Sequence, residues 1–364
     1  MKKLFLPLAA AFTILLIVTS TAKAALYASD ALHMCAEIII PTLFPFFVCS
    51  GILIYSGFCR TISSAFKFCM KPLFNVSPAG SGAFVLGIIS GYPLGAVTAG
   101  ELYKNSYITK SEAERLLAFC NNSGPLFILS SIGASMYSRP EYGVLLYCVH
   151  IIAAVSVGII FRFYRRHDYT APDTVMSAPQ RSAGEIFSLS LNTSVQNILT
   201  VCGAVLIFSV ASRLLLDLIP MPPQTDALVS GIFEFVTGTV KISNLTIPLM
   251  RRLSLTAFVV GFAGLGVHMQ VIAVISKYEL SLLPYFVGKL LHGIISFILI
   301  ALYFMKHPIT TAVFAPSVSK TVAAASAAEI SACAILLLIS AAFFARYLLK
   351  ANKVPNQKKR PYVG

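Results

Sequence analysis

Long apolar runs that are almost free of charge recur along the chain and constrain its fold more than any other feature. They cover Leu4–Ala22, Ile38–Phe58, Gly80–Gly100, Leu116–Met136, Tyr142–Phe161, Ile186–Ser212, Leu255–Ser276, Leu283–Met305 and Ile330–Ala345. Most approach or exceed the roughly 20 apolar residues that a helix needs to cross a hydrocarbon core. The runs therefore predict an all-α polytopic membrane protein, because a backbone in lipid must satisfy its own hydrogen bonds.

The charge and cysteine content agree with a membrane protein and exclude several other classes. Only 12% of the residues are charged, whereas a soluble domain has about 25%. The net charge is +14, and the positive residues cluster in short loops and in the C-terminal tail. This distribution indicates positive-inside topology and contact with the lipid bilayer, and it argues against nucleic-acid binding. The eight cysteines form no C-x-x-C pair and are interpreted as small apolar fillers.

The two halves of the chain resemble each other in three places, in the same order. FPFFVCSGIL at 44–53 matches ILTVCGAVLIF at 198–208, GIISGYPLGA at 87–96 matches EFVTGTVKIS at 234–243, and NNSGPLFI at 121–128 matches FAGLGVHMQ at 262–270. This pattern indicates an internal duplication. Repeats with Gly- and Pro-interrupted segments at corresponding places are typical of secondary transporters.

The distribution of positive charge favours an inverted repeat. If Gly80–Gly100 and Ala227–Met250 are re-entrant helical hairpins, the Arg-rich linker after Phe161 and both termini lie in the cytoplasm. If both segments span fully, the linker lies outside, against the positive-inside rule. Arg251 and Arg252, which the hairpin topology places outside, are the exception.

The first half carries two polar interruptions. Gly124 and Pro125 are expected to break the Leu116–Met136 helix, and broken backbone at membrane depth must be buried in protein or line a wet cavity. The predicted substrate-binding residues here are Ser90, Gly91, Tyr92 and Pro93 in the first hairpin turn, and Asn121, Asn122, Ser123 and Gly124 in the broken helix. The alternatives are a kinked helix that serves packing, and glycines that let helices approach closely.

The second half adds Glu234, Thr237, Gly238, His268, Gln270 and Lys289 to the predicted substrate-binding residues. An intramembrane carboxylate such as Glu234 is a candidate for proton or Na⁺ coupling. The alternative is a structural ion pair with Lys241 or Lys289. His268 could be a satisfied structural histidine, and Lys289, which shares a helix face with His292, could attract an anion or extend towards the membrane surface.

The sequence predicts neither a catalytic nor a metal-binding residue, no resident cofactor and no enzymatic activity. It contains no Walker A, H-E-x-x-H or G-x-S-x-G motif. An intramembrane hydrolase built on Ser123 and His268 is the catalytic alternative, but Ser123 is followed directly by Gly-Pro and is not framed as a nucleophile.

The runs ISGYPLGAVTAGELY, ITKSEAERLLAFCNNSGPLFI and GLGVHMQ resemble the sporulation integral membrane protein family known as YlbJ or SpoVV, over Ile38–Met305. The resemblance implies gate-type repeats like those of concentrative nucleoside transporters. It also implies transport of dipicolinic acid, a small dicarboxylate, across the outer forespore membrane during endospore formation. EFVTGTVKIS departs from the family pattern, so the resemblance does not assign ion coupling to Glu234.

The expected organisation combines the repeats with this resemblance. It comprises an N-terminal transmembrane helix or signal anchor (1–26), a first gate-like repeat (37–163), a cytoplasmic linker (164–185), a second, inverted repeat (186–306), a segment with a further transmembrane helix (307–349) and a basic tail (350–364). The alternatives are a nucleoside-like transporter, a carrier of another small carboxylate, and a non-transporting scaffold protein of the forespore membrane. A homo-oligomer and other sporulation membrane proteins are left open as partners.

Overall fold

The computed structural model describes residues 2–56, 66, 68–166 and 181–307 and contains no strand among them. Its α-helices are α1 (Lys2–Thr19), α2 (Thr21–Met34), α3 (Ile40–Tyr55), α4 (Ser81–Ile89), α5 (Leu94–Lys104), α6 (Lys110–Phe119), α7 (Pro140–Phe161), α8 (Ala183–Leu216), α9 (Pro223–Phe233), α10 (Phe235–Ser243), α11 (Leu249–Phe262), α12 (Gly264–Ile275) and α13 (Leu283–Lys306). Cys35–Ile39, Met70–Phe74 and Phe127–Met136 are π-helical, and Pro78–Gly80 and Ser276–Tyr278 are 3₁₀-helical. The predicted helix around Ile330–Ala345, the basic tail and most of the linker lie outside the described residues.

Several helices have the length and apolar character needed to span a membrane, which confirms the polytopic all-α class. These are α7, α8, the stretch Leu249–Ala273 and α13. The N-terminal helical region continues past residue 26, because α1 is followed by α2, and the two helices meet at a bend of 106°. Helix α8 begins inside the predicted linker, where Ser182 and Glu185 form a capping box.

Each half contains one helical hairpin and one broken helix, as the sequence predicted. In the first half, α4 and α5 pack against each other across the turn Ser90–Pro93, and the chain between α6 and the Phe127–Met136 helix opens at NNSGP. In the second half, α9 packs on α10 across Glu234, and α11 meets α12 at Ala263. Gly91 and Gly264 have φ angles of +78° and +74°, a conformation that glycine adopts without steric cost.

Helix α13 packs on α6, α7 and α11. A Cβ atom at Gly288 would overlap the carbonyl of Ala118, and one at Gly293 would lie 2.8 Å from the carbonyl of Phe258. Small residues at such contacts let helix backbones approach closely, which is the usual basis of packing in membranes. The close contacts of α13 with α6 and α11 hold these two helices, each of which ends at a broken segment.

Candidate functional site

The four interrupted segments meet at one cavity that encloses about 650 Å³, including the part open to its surroundings. Its walls come from both halves of the chain. The lining residues are Ile39, Leu43, Phe46, Phe47, Ser90, Gly91, Tyr92, Ser123, Gly124, Leu126, Phe127, Val201, Ala204, Val205, Glu234, Phe235, Val236, Gly266, Val267 and Gln270. A concave, mainly apolar site with a few converging polar groups is typical of small-molecule binding.

Aromatic rings form much of the cavity wall and join the two halves. The rings of Phe127 and Phe235 pack edge-to-face with centroids 5.2 Å apart, and those of Tyr92 and Phe235 are 6.1 Å apart. The Tyr92 hydroxyl donates a hydrogen bond to the Val260 carbonyl at 3.0 Å, which ties the first hairpin to α11. These rings suit a flat solute.

Glu234 is the only carboxylate among the lining residues, and it caps the N-terminus of α10. Its two oxygens accept the backbone N–H groups of Val236 at 3.0 Å and Thr237 at 2.6 Å. An acidic cap at this position compensates the helix dipole. The ion pair with Lys241 or Lys289 that the sequence left open is not found in the described part of the chain; Lys241 instead pairs with Asp226 at 2.8 Å.

The NNSGP segment is held open by its own polar groups. The side-chain oxygen of Asn121 accepts the N–H of Ala96 at 3.3 Å, and the amide of Asn122 donates to the Phe119 carbonyl at 2.9 Å. The N–H of Ser123 donates to Nε2 of His150 at 3.1 Å. The asparagine side chains therefore stabilise the opening, while Ser123 and Gly124 reach the cavity.

Lys289 lies one layer behind the cavity wall. Its side chain is fully buried, its ammonium donates to the carbonyl of Asn121 at 2.9 Å, and it lies 5.2 Å from the centre of the Tyr92 ring. His292, predicted on the same face, is also fully buried, and its Nε2 lies 3.0 Å from the carbonyl of His150. The prediction that Lys289 and His292 share a face is confirmed.

The predicted site residues thus divide into two groups. Ser90, Gly91, Tyr92, Ser123, Gly124, Glu234 and Gln270 line the cavity, whereas Pro93, Asn121, Asn122, Thr237, Gly238, His268 and Lys289 do not. Gly238 lies inside α10, where a Cβ atom would overlap Gly231. Nδ1 of His268 lies 2.8 Å from the Tyr285 hydroxyl, and the histidine that binds Ser123, the partner in the hydrolase alternative, is His150.

Sequence reasoning missed the apolar walls that α3 and α8 provide. Phe46 and Phe47 on α3 and Val201, Ala204 and Val205 on α8 line the cavity. These residues are apolar and lie in apolar spans, so their own chemistry does not mark them as site residues. The one signal was the repeat match between segments 44–53 and 198–208, which contain these residues.

A second cavity of about 410 Å³ adjoins the first and shares Phe47, Ser90 and Tyr92 with it. Its other walls are more polar and include Thr193, Ser194 and Asn197 of α8 and Tyr55 of α3. The guanidinium of Arg181 lies 5.4 Å from the centre of the Tyr55 ring, so a positive charge lies near this cavity.

Comparison with known proteins adds two findings. A family model described as nucleoside recognition, the Gate family, matches residues 36–139, which include the first hairpin and the first broken helix. The sporulation integral membrane protein YlbJ of Bacillus subtilis (strain 168) is 30% identical over 306 residues, which cover 74% of this chain and 75% of that protein. No solved structure matches.

Proposed function

The chain belongs to the YlbJ family of sporulation integral membrane proteins, and we propose from this premise that it is a secondary transporter of dipicolinic acid across the outer forespore membrane. The observation that carries the proposal is the convergence of two hairpins and two broken helices on one cavity. Transporters place their substrate between such interrupted helices near the bilayer midplane. A scaffold protein would not need this arrangement.

The cavity has features that suit a flat aromatic dianion. Tyr92, Phe127 and Phe235 offer ring faces and edges to a pyridine ring. The backbone N–H of Gly124 and the buried Ser90 hydroxyl can donate to the carboxylates. The charge of Glu234 opposes a dianion, but two backbone N–H groups already bind that carboxylate.

A nucleoside is the second candidate, and two observations favour it. The Gate family model that matches residues 36–139 is described as nucleoside recognition. Glu234 and Gln270 also offer acceptor oxygens in the cavity, and nucleoside hydroxyl and amino groups are hydrogen-bond donors.

The test is uptake of labelled dipicolinate into proteoliposomes, with competition by unlabelled nucleosides and by other pyridine dicarboxylates. Ala204→Phe places a ring in the cavity wall on α8, and Leu199→Phe adds the same ring on the 61% exposed face of that helix as a control. We expect saturable uptake that Ala204→Phe abolishes and Leu199→Phe retains. Glu234→Gln separates the two substrates, because it should improve binding of a dianion and weaken binding of a nucleoside.

Absence of saturable uptake of either solute class by folded protein, under imposed proton and sodium gradients, would contradict the transporter proposal and favour a scaffold. We also propose that both termini lie in the mother-cell cytoplasm, since that topology places the Arg-rich linker inside. Accessibility of an introduced N-terminal cysteine to an impermeant reagent tests this orientation.

A further inference from the structure

Helix α13 carries a polar stripe that crosses the interior of the molecule. Tyr285, Lys289, His292 and Ser296 follow one another at spacings of four, three and four residues, so they lie on one helix face. Each is at most 1% exposed. Over this length a helix rises about 16 Å, roughly half of a hydrocarbon core. Buried polar groups at this depth are costly and point to function.

The stripe touches the broken helices of both halves. Tyr285 binds His268 of α12, and the Lys289 ammonium donates to the carbonyl of Asn121 in NNSGP. The His292 ring stacks near that of His150 on α7, with centroids 4.3 Å apart. His150 in turn accepts the N–H of Ser123 through Nε2. Lys289 and His150 therefore each form one hydrogen bond to the NNSGP segment, Lys289 at Asn121 and His150 at Ser123. His292 is linked to this segment through the carbonyl of His150.

No carboxylate neutralises this cluster within the described residues. Residues 2–56, 66, 68–166 and 181–307 offer Lys289 no salt bridge, and the titratable groups around it are His150, His292, Cys120, Tyr92 and Tyr285, with His268 beyond Tyr285. Of the acids on α6, which packs against α13, Glu112 binds the N–H groups of Ser77 and Thr109, and Glu114 binds Tyr164 and Arg165. Helix α11 contributes Arg251 and Arg252 in its first turn. A buried ammonium without a counter-ion is strongly disfavoured.

A small cavity of about 190 Å³ lies beside His150 and Ser296. Nδ1 of His150, Nδ1 of His292 and the Ser296 hydroxyl have no hydrogen-bond partner among the described residues. Ile128, Leu146, Ala257 and Val260 form the apolar part of this cavity, and His150 and Ser296 are its polar groups, so a water bound there would have these two side chains as partners.

We propose that His150, His292 and Lys289 form a proton-binding site that couples proton movement to transport. This inference rests on the proposed function. Nε2 of His150 carries no proton while it accepts the Ser123 N–H. When a hydronium ion transfers its proton to Nε2 and leaves water, that acceptor is lost and the Ser123 N–H, on the cavity wall, becomes available to a substrate carboxylate. Nitrogen bases suit a proton, whereas alkali and alkaline-earth cations prefer oxygen ligands.

The test separates accumulation from exchange in proteoliposomes. Accumulation is driven by a pH gradient or by a sodium gradient, and exchange is measured with substrate on both sides and no gradient. His150→Gln keeps an acceptor oxygen for Ser123 but cannot be protonated. His307→Gln, at the exposed C-terminal end of α13, is the matched control. Size-exclusion chromatography verifies folding, and Lys289→Met replaces His150→Gln if that variant does not fold.

We expect the pH gradient to drive accumulation in the wild type and in His307→Gln. In His150→Gln, accumulation should fall about tenfold more than exchange does. A pH dye inside the vesicles should report proton entry with substrate in the wild type and lose that signal in the variant. Accumulation driven by sodium alone, or an equal loss of accumulation and exchange in His150→Gln, would overturn the inference. A wild type without any exchange would instead overturn the proposed transport function, and the inference with it.

Discussion

The two halves interrupt their helices with different chemistry. In the first half the opening extends over several residues after Phe119 and is stabilised by neutral amides, Asn121 and Asn122. In the second half the hairpin is interrupted by one residue, Glu234, whose carboxylate occupies the N-terminus of α10. The Glu234 carboxylate compensates the helix dipole at the N-terminus of α10, whereas no carboxylate among the described residues binds the NNSGP opening. If the proposed transport of a dianion holds, we expect the negative end of the substrate to bind at the first half's opening.

The largest effect is expected where the first hairpin touches this opening. A Cβ atom at Gly87 of α4 would overlap the backbone carbonyl of Cys120. Backbone cannot yield as a flexible side chain can, so we expect Gly87→Ala to lose about 3 kcal/mol, the upper end of what overpacking costs, and much of the folded yield. Thermal unfolding and size-exclusion chromatography in detergent measure this.

Gly203→Ala on α8 is the control, since in the described part of the chain no atom outside the backbone of its own helix turn lies within 4 Å of the added Cβ. It should stabilise slightly, because alanine favours a helix over glycine by about 1 kcal/mol. Equal melting temperatures for Gly87→Ala and the wild type would contradict the close contact between α4 and the opening.

The contrast also explains which parts of the site the sequence could predict. Gly and Pro act locally, so the turn at Gly91 and the break at Gly124 followed from their own positions. In the second half the repeat match aligns Gly91 with Gly238, but the interruption lies at Glu234 and Gly238 contacts Gly231. A glycine alone does not reveal whether it opens a helix or lets another one approach.

Long-range placement was beyond local signals. Lys289 and the NNSGP segment are far apart in sequence, and their contact depends on how α13 packs against α6. Without that packing, a lysine in an apolar span could equally face an anion or the membrane surface. The apolar cavity wall on α8 was hidden for a similar reason, because its residues look like any lipid-facing or packed residue.

A smaller effect is expected at the caps, and it tests the chemical difference directly. Glu234→Ala leaves the buried N–H groups of Val236 and Thr237 without their acceptor, which should cost about 1–3 kcal/mol. Asn122→Ala removes one neutral hydrogen bond to the Phe119 carbonyl and should cost about 1 kcal/mol. Denaturation in detergent compares the two variants. A larger loss for Asn122→Ala would reverse the contrast between a charged and a neutral interruption.

The smallest loss of stability is expected at Lys241. Unlike the fully buried Lys289, Lys241 is partly exposed and forms an ion pair. Lys241 and Asp226 lie 2.8 Å apart and join α10 to α9, with about 30% of each side chain exposed. A pair this exposed contributes at most about 1 kcal/mol, so Lys241→Met should lower stability only slightly, and less at high salt. Its uptake kinetics should match the wild type because Lys241 does not line the cavity. An equal loss of stability in Asp226→Asn would assign the effect to the ion pair. A raised KM for uptake in Lys241→Met alone would instead indicate that Lys241 contacts the substrate, and would contradict the contrast between a first half that receives the negative charge and a second half that does not.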